Sequence, residues 1–369
     1  MSRRSPLLAV LAAVLALPGA ALGKSFTITN SGNHPSVAVD ASGTAHVVWD
    51  NVDHPDADDA TSTTYYCKVP RNAKGCAKGS TKTFTPASGD QDFAGPRVFL
   101  TGGQNVVVVF TRCCTEQTAA DSQVYTTRVF AASSSNNGGS FGTPAWIGTT
   151  APDLGGVFSQ GAFLALGSAD NGVALQSMPV AGFAGAQNLV SSKLADTGGI
   201  GASPKGRAIA FNDTAGNIYA ASLSGDPATA KPAFKVIGKG NDMHVASGPR
   251  GVDLMYRTKG GKARYMVARV AGGKIAKAAA VSEAGAPIFG NIFQDALGRI
   301  HAVWIGDSGV TYRRSGKTGR GFGKPKKLAP LTGNSAFYNL VIAANAKGKA
   351  AVVYDGNVDA GRVAGFTAG

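Results

Sequence analysis

The chain has 369 residues, with 36 Lys and Arg against 22 Asp and Glu, a formal net charge of +14. Its 50 glycines, its 17 prolines and only two glutamates, Glu116 and Glu283, argue against long helices and for short strands joined by tight turns. The length exceeds that of a usual single domain, yet one closed array of repeats can hold it.

Residues 1–23 read as a secretory signal peptide. Ser2-Arg3-Arg4 is basic, 7–17 is apolar, and Ala21-Leu22-Gly23 offers a small-x-small cleavage site. The alternative is a membrane anchor, but a span needs about 20 apolar residues. A Sec-type signal fits better than a twin-arginine one. No Cys lies at the cleavage site, so no lipid anchor is expected, and no later stretch is apolar and long enough to span a membrane. A secreted chain starting near Lys24 and forming one domain over 24–369 is expected.

Ser25-Phe26-Thr27-Ile28-Thr29 alternates and is rich in β-formers. Units of four strands follow. The first spans 35–88, with strands at 36–40, 45–50, 63–69 and 81–86. The second starts at Pro96, with strands at 106–111, 124–131 and 143–148. The third starts near Gly161 with its second strand at 173–177 and a poorly marked third. The fourth starts near Ile200, with strands at 207–211 and 218–223. The fifth starts near His244, with strands at 252–257 and 263–270. The sixth starts near Gly290, with strands at 300–305 and 310–314. The seventh starts near Tyr338, with strands at 349–355 and 362–367 and no fourth strand of its own.

The units repeat. In 35–50 and 291–307 an Asp precedes a Gly turn (Asp40, Gly43; Asp295, Gly298), and a His precedes a Val-Trp strand (His46, Trp49; His301, Trp304). Such periodicity means radial or linear repetition. The expected fold is an all-β propeller of seven four-stranded blades, the first strand of each lining the channel. Strand 25–29 closes the ring by pairing beside 362–367 and leaves no orphan edge. Six blades is the alternative, if the third unit is not a blade.

Four cysteines suit an exported protein. Cys67 and Cys76 suit a disulfide clasping the turn between the third and fourth strands of blade one. Cys113 and Cys114 are adjacent, which leaves three readings: a vicinal disulfide forcing a turn after the second strand of blade two, two free thiols, or an intermolecular link. No Cys/His pair with metal-ligand spacing lies nearby.

Two turns carry a family signal. Ser134-Ser135-Asn136-Asn137-Gly138-Gly139-Ser140-Phe141 fits Ser-x-Asp-x-Gly-x-Thr-Trp, with Asn for Asp and Phe for Trp. The run from Ser315 through Gly319 to Phe322 is a more decayed copy. Both fall between predicted third and fourth strands. The chain thus resembles the sialidase-like Asp-box (BNR repeat) β-propellers, over nearly the whole of 24–369 at the level of blades. The resemblance implies an active-site face built from loops entering the first strands and loops joining second to third strands, with Asp boxes opposite.

An active sialidase needs an arginine cluster for the substrate carboxylate, a Tyr nucleophile with its Glu, and an Asp acid/base. Arg97, Arg112, Arg257, Glu283 and Tyr338 supply the types, but the family's Phe/Tyr-Arg-Ile-Pro motif is absent; the nearest stretch is Gly95-Pro96-Arg97-Val98. Catalytic roles are therefore not carried over. Two functions remain: a noncatalytic propeller binding a glycan, cell-wall polymer or protein, or an exo-α-sialidase-type hydrolase with drifted motifs. The acidic loop with Asp50, Asp53, Asp56, Asp58 and Asp59 is the candidate binding surface. Asp53, Asp56 and Asp58 are candidate calcium ligands, although a charged surface loop is the commoner explanation, and no cofactor is required.

Charge is lopsided. Residues 25–200 hold 9 Lys/Arg against 13 Asp/Glu, and residues 201–369 hold 24 against 9. The basic half suggests an anionic cell-surface polymer as partner or a merely solvated surface. Nucleic acid fits poorly without interleaved aromatics. A monomer is expected.

Overall fold

The computed structural model describes residues 24–53, 61–84, 95–117, 123–180, 182, 185–285, 287–306, 309–319, 321–329, 337–356 and 362–368. These residues form strands and turns and no helix. Strand β1 is Ser25–Thr29. The first unit is β2 (Asn33–Val39), β3 (Ala45–Asp53), β4 (Thr61–Val69) and β5 (Lys82–Phe84). The second is β6 (Arg97–Gly102), β7 (Asn105–Gln117), β8 (Gln123–Ser134) and β9 (Ala145–Gly148). The third is β10 (Gly155–Ser159), β11 (Ala162–Ala169), β12 (Gly172–Pro179) and β13 (Asn188–Ser191). Then come β14 (Ala195–Ser203), β15 (Gly206–Asp213), β16 (Asn217–Leu223), β17 (Lys235–Gly248), β18 (Gly251–Thr258), β19 (Tyr265–Ala271), β20 (Lys274–Ile275) and β21 (Ala279–Ala280). The sixth unit is β22 (Gly290–Gln294), β23 (Ile300–Gly306), β24 (Gly309–Arg314) and β25 (Lys326–Ala329). The last strands are β26 (Phe337–Ala344), β27 (Ala350–Gly356) and β28 (Arg362–Ala368).

All pairs are antiparallel. They make five four-stranded sheets and one eight-stranded sheet, β14 to β21. In the larger sheet β17 pairs with β16 through Lys235–Lys239 and with β18 through Gly240–Gly248. One uninterrupted strand thus serves as the outer edge of a fourth unit and the inner edge of a fifth. The sheet of the seventh unit runs β26-β27-β28-β1, with Ser25 opposite Phe366 and Phe26 opposite Gly365. The closing strand expected at 25–29 is therefore in place.

The core lies between sheets. Each hydrophobic cluster joins two neighbouring units: Val48 and Tyr66 of the first pack with Val106 and Val108 of the second, and Phe26, Val353 and Val363 of the seventh pack with Val37 and Val47 of the first. A closed ring buries both faces of each sheet, which explains strands that read as continuous apolar runs, such as Val106 to Phe110. This is an all-β propeller.

The third unit corrects the sequence reading. It has four strands, and residues 173–177 lie in its third strand, β12, rather than its second. Its innermost strand opens with Gly155 and Gly156 and therefore looks like a loop in sequence. Crowding demands these glycines: a Cβ on Gly155 would sit 2.9 Å from the Cα of Gly199, and one on Gly156 would sit 2.3 Å from the Phe163 ring.

The turns show the repeat at atomic scale. Asp40, Asp213, Asp295 and Asn345 each accept, through a side-chain oxygen, the amide four residues on, at 2.7–3.1 Å. In the turn 134–141, Asn136 Oδ1 accepts from the Ser140 amide at 2.9 Å, while Phe141 meets Tyr66 and Phe84 edge-on at 4.9 and 5.2 Å. The turn from Ser315 to Phe322 has Lys317 at the corresponding place and closes by backbone bonds, Gly319 to Gly316 and Gly316 to Gly321. Cys67 and Cys76 form a disulfide. Cys113 and Cys114 lie within the unbroken β7, opposite Thr127 and Thr126, so no turn falls there; their side chains lie outside the described residues. The expected signal segment 1–23 also lies outside them.

Candidate functional site

The innermost strands enter the ring at one end, and their first residues enclose a cavity of about 440 Å³. Seven segments line it: 34–36, 95–97, 153–156, 196–200, 242–245, 289–291 and 339–341. The cavity is thus the mouth of the central channel. Its polar side chains come from different units of the ring, so the ring sets their spacing.

Asp242 and His244 on β17 form its best-held pair. His244 Nε2 lies 2.8 Å from Asp242 Oδ1, and Nδ1 lies 3.4 Å from Asn291 Nδ2. An ionised carboxylate can only accept, so the Nε2–H of His244 donates to Asp242. The buried Tyr265 hydroxyl donates to the other Asp242 oxygen. Burial pushes the Asp242 carboxyl up, but His244, the Tyr265 hydroxyl and Arg257 outweigh it and hold it below the usual range. The same burial and the Asp242 charge push the Tyr265 phenol up. A charged carboxylate thus faces the cavity at neutral pH.

Across the mouth, His34 Nδ1 lies 3.0 Å from Oδ2 of the buried Asp50. Asp153 accepts from the Ser168 amide at 2.9 Å, and Asp196 accepts from Asn212 Nδ2 at 3.2 Å. The cavity therefore carries three carboxylates beside imidazoles and amides, a set suited to binding hydroxyl groups.

Of the five arginine, glutamate and tyrosine candidates, Arg97 lines the cavity, and its guanidinium donates to the Pro152 carbonyl at 2.9 Å. Arg112 is buried between the first two units, bonded to Thr111 O, Thr64 Oγ1 and Phe84 O. Arg257 donates to Asn241 Oδ1 and to the carbonyls of Pro287 and Ile288. Glu283 is exposed beyond β21. The Tyr338 side chain lies outside the described residues; its backbone pairs with Asp355. Among the acidic-loop candidates, Asp50 is buried against His34, and the Asp53 side chain and Asp56, Asp58 and Asp59 lie outside the described residues. Among the described residues no group of three or more His, Cys, Asp or Glu is placed to hold a metal.

Sequence reasoning missed His34, Asp153, Asp196, Asp242, His244 and Asn339. A signal existed: Asn33-His34-Pro35-Ser36-Val37-Ala38, Asn241-Asp242-Met243-His244-Val245-Ala246 and Tyr338-Asn339-Leu340-Val341-Ile342-Ala343 align at the starts of three innermost strands.

No protein-family model matches this sequence, and no curated protein sequence matches it. Among solved structures it is similar to a protein of unknown function from Dyadobacter fermentans, at 14% identity over 95% of this chain and 99% of that one, with a TM-score of 0.51. It is similar to the alpha-L-arabinanase of Penicillium chrysogenum complexed with arabinobiose, at 10% identity over 94% and 97%, with a TM-score of 0.50. It is also similar to a mutant of the NanB sialidase of Streptococcus pneumoniae, at 10% identity over 92% and 68%, with a TM-score of 0.50. At these identities the likeness is one of fold, a β-propeller.

Proposed function

We propose that this chain is a secreted, noncatalytic, sialidase-like propeller that binds a glycan at the mouth of its central channel. The observation that carries the reading is the cavity of about 440 Å³ where innermost strands from around the ring bring carboxylates, imidazoles and amides together. The arabinanase and sialidase neighbours share the propeller fold and lend support. The turn 134–141, with its Asn136 bond and tucked Phe141, adds an Asp-box-like element. The disulfide suits an oxidising, extracellular setting, and among the described residues no helix is long and apolar enough to cross a membrane.

A binding role rather than hydrolysis is favoured because Arg112 and Arg257 spend their donors away from the cavity. A sialidase-type hydrolase is the second reading, favoured by Arg97 in the cavity wall. The test uses the secreted chain in two assays. Native gels containing a polysaccharide should retard it, and a fluorogenic sialoside and a dye-labelled arabinan should show no turnover. Turnover above a heat-killed control makes it a hydrolase; migration unaffected by every polysaccharide removes the glycan reading.

A further inference from the structure

One backbone device recurs at the cavity rim. In β2, Asn33 pairs with Asp50 and Ser36 with Val48, so His34 and Pro35 together face Trp49. In β17, Asn241 pairs with Arg257 and His244 with Met255, so Asp242 and Met243 face Tyr256. In β26, Tyr338 pairs with Asp355 and Val341 with Val353, so Asn339 and Leu340 face Tyr354. Each is a β-bulge opposite an aromatic residue. The first bulged residue has positive φ in all three: 46° at His34, 54° at Asp242 and 45° at Asn339. His, Asp and Asn are the non-glycine types that best tolerate that region. A one-residue bulge re-aims a side chain. Here it keeps Met243 and Leu340 buried and puts the polar neighbour in the cavity wall. Gly95, at φ 63°, occupies the corresponding place in the second unit, where a Cβ would come 2.7 Å from that of His34.

Buried groups support two of these side chains from behind: Asp50 holds His34, and Tyr265 holds Asp242. Such support fixes a binding group in advance of its ligand and lowers the ordering cost of binding.

We propose that His34, Asp242 and Asn339 form a preorganised rim that selects uncharged sugars by their hydroxyl groups and rejects glycans ending in a carboxylate. The inference rests on the glycan-binding reading above and names its ligand class. Carboxylates at Asp153, Asp196 and Asp242 can each accept from sugar hydroxyls, Asn339 can both donate and accept, and His34 adds an imidazole. The same three carboxylates repel an anionic terminus, and the guanidinium in the wall, Arg97, already bonds the Pro152 carbonyl.

The test is an array printed with neutral oligosaccharides and their sialylated counterparts, probed with the wild-type chain, Asp242→Asn and Asn339→Ala. Wild type is expected to bind neutral features and leave sialylated ones empty. Each variant should lose about tenfold or more in affinity for the bound features, measured by calorimetry, as expected for a lost hydrogen bond to a charged or well-placed group. Binding of sialylated features overturns the selectivity and leaves the glycan reading standing. Neutral binding that survives both substitutions overturns the rim. No bound feature at all defeats the glycan reading and the rim with it. Asn339 is exposed, so its variant keeps the test decisive even if Asp242→Asn unfolds.

Discussion

Two buried histidines hold equivalent places in the first and sixth units, each bonded to a tyrosine hydroxyl and facing a carboxylate, although only His301 hydrogen-bonds that carboxylate. His46 Nδ1 lies 2.7 Å from the Tyr66 hydroxyl, with Nε2 3.5 Å from Asp40; His301 Nδ1 lies 2.9 Å from the Tyr312 hydroxyl, with Nε2 3.0 Å from Asp295. Burial pushes both imidazoles below their ordinary value, only partly offset by the carboxylates. Burial also raises the Asp295 carboxyl, but His301 and Arg299 outweigh it and hold it at about 2. The two effects have the same sign. An unfolded histidine takes up its proton near pH 6.5, before the folded one does, so stability is complete above that pH and falls as pH drops below it. An unfolded aspartate protonates near pH 4, so a second loss follows from there down to about pH 2. Melting curves from pH 8 to pH 3 should show both declines, at most about 1.4 kcal/mol per pH unit for each imidazole. His301→Gln should flatten the decline between pH 7 and 5; an unchanged slope would show that these imidazoles do not set it. Tyr66→Phe removes the partner of buried His46 Nδ1 and should cost about 1–3 kcal/mol by urea denaturation, with the same cost for Tyr312→Phe.

At the scale of elements, ring closure and the disulfide act together. The clasped turn after β4 places the Lys74 carbonyl 3.0 Å from the Thr27 amide of β1, and a Cβ on Gly75 would come 2.7 Å from the Thr27 carbonyl. The bridge between Cys67 and Cys76 thus holds a turn that buttresses the strand closing the ring. Reduction should cost about 2–4 kcal/mol. It should also raise hydrogen exchange first in Ser25–Thr29 and Arg362–Ala368, leaving β11 and β12 protected. Uniform loss of protection would mean that β1 is not a separately opening element. Both features were legible in sequence, because 25–29 alternates without a partner and the two cysteines lie nine residues apart. The start of the third unit was not legible, since close packing of inner strands forces glycine where a strand would otherwise show valine or isoleucine. The rim was hidden for a related reason. The bulges fall on His34-Pro35, Asp242-Met243 and Asn339-Leu340, and a polar residue at such a place reads as loop until the strand starts are laid side by side.

On the scale of the whole molecule, charge is divided between a pit and a flank. The cavity is lined by Asp153, Asp196 and Asp242, whereas Lys274, Lys277, Lys317, Lys324, Lys326 and Lys327 are exposed on the outer strands and turns of the fifth and sixth units. Those two units are tied together there: Arg313 donates to the Val281 carbonyl at 2.6 Å and Arg269 to the Thr318 carbonyl at 3.3 Å. Their lysines therefore form one basic flank. Lys326 and Lys327 lie on the edge strand β25, where charge also discourages pairing with another sheet. A flank of this kind attracts polyanions through long-range Coulomb forces that salt screens over about 8 Å at 0.15 M. The chain should bind a heparin or polyphosphate column at low ionic strength and elute as salt rises. Replacing Lys324, Lys326 and Lys327 with Glu should lower the eluting salt concentration while leaving the melting temperature nearly unchanged, because exposed substitutions usually move stability by no more than about 0.5 kcal/mol. Sugar binding at the cavity should be indifferent to the same three changes, since pit and flank lie on separate parts of the ring. If elution stays where it was, the polyanion contact lies on other lysines of the basic half. If sugar affinity rises or falls with the substitutions, the two surfaces are coupled rather than independent.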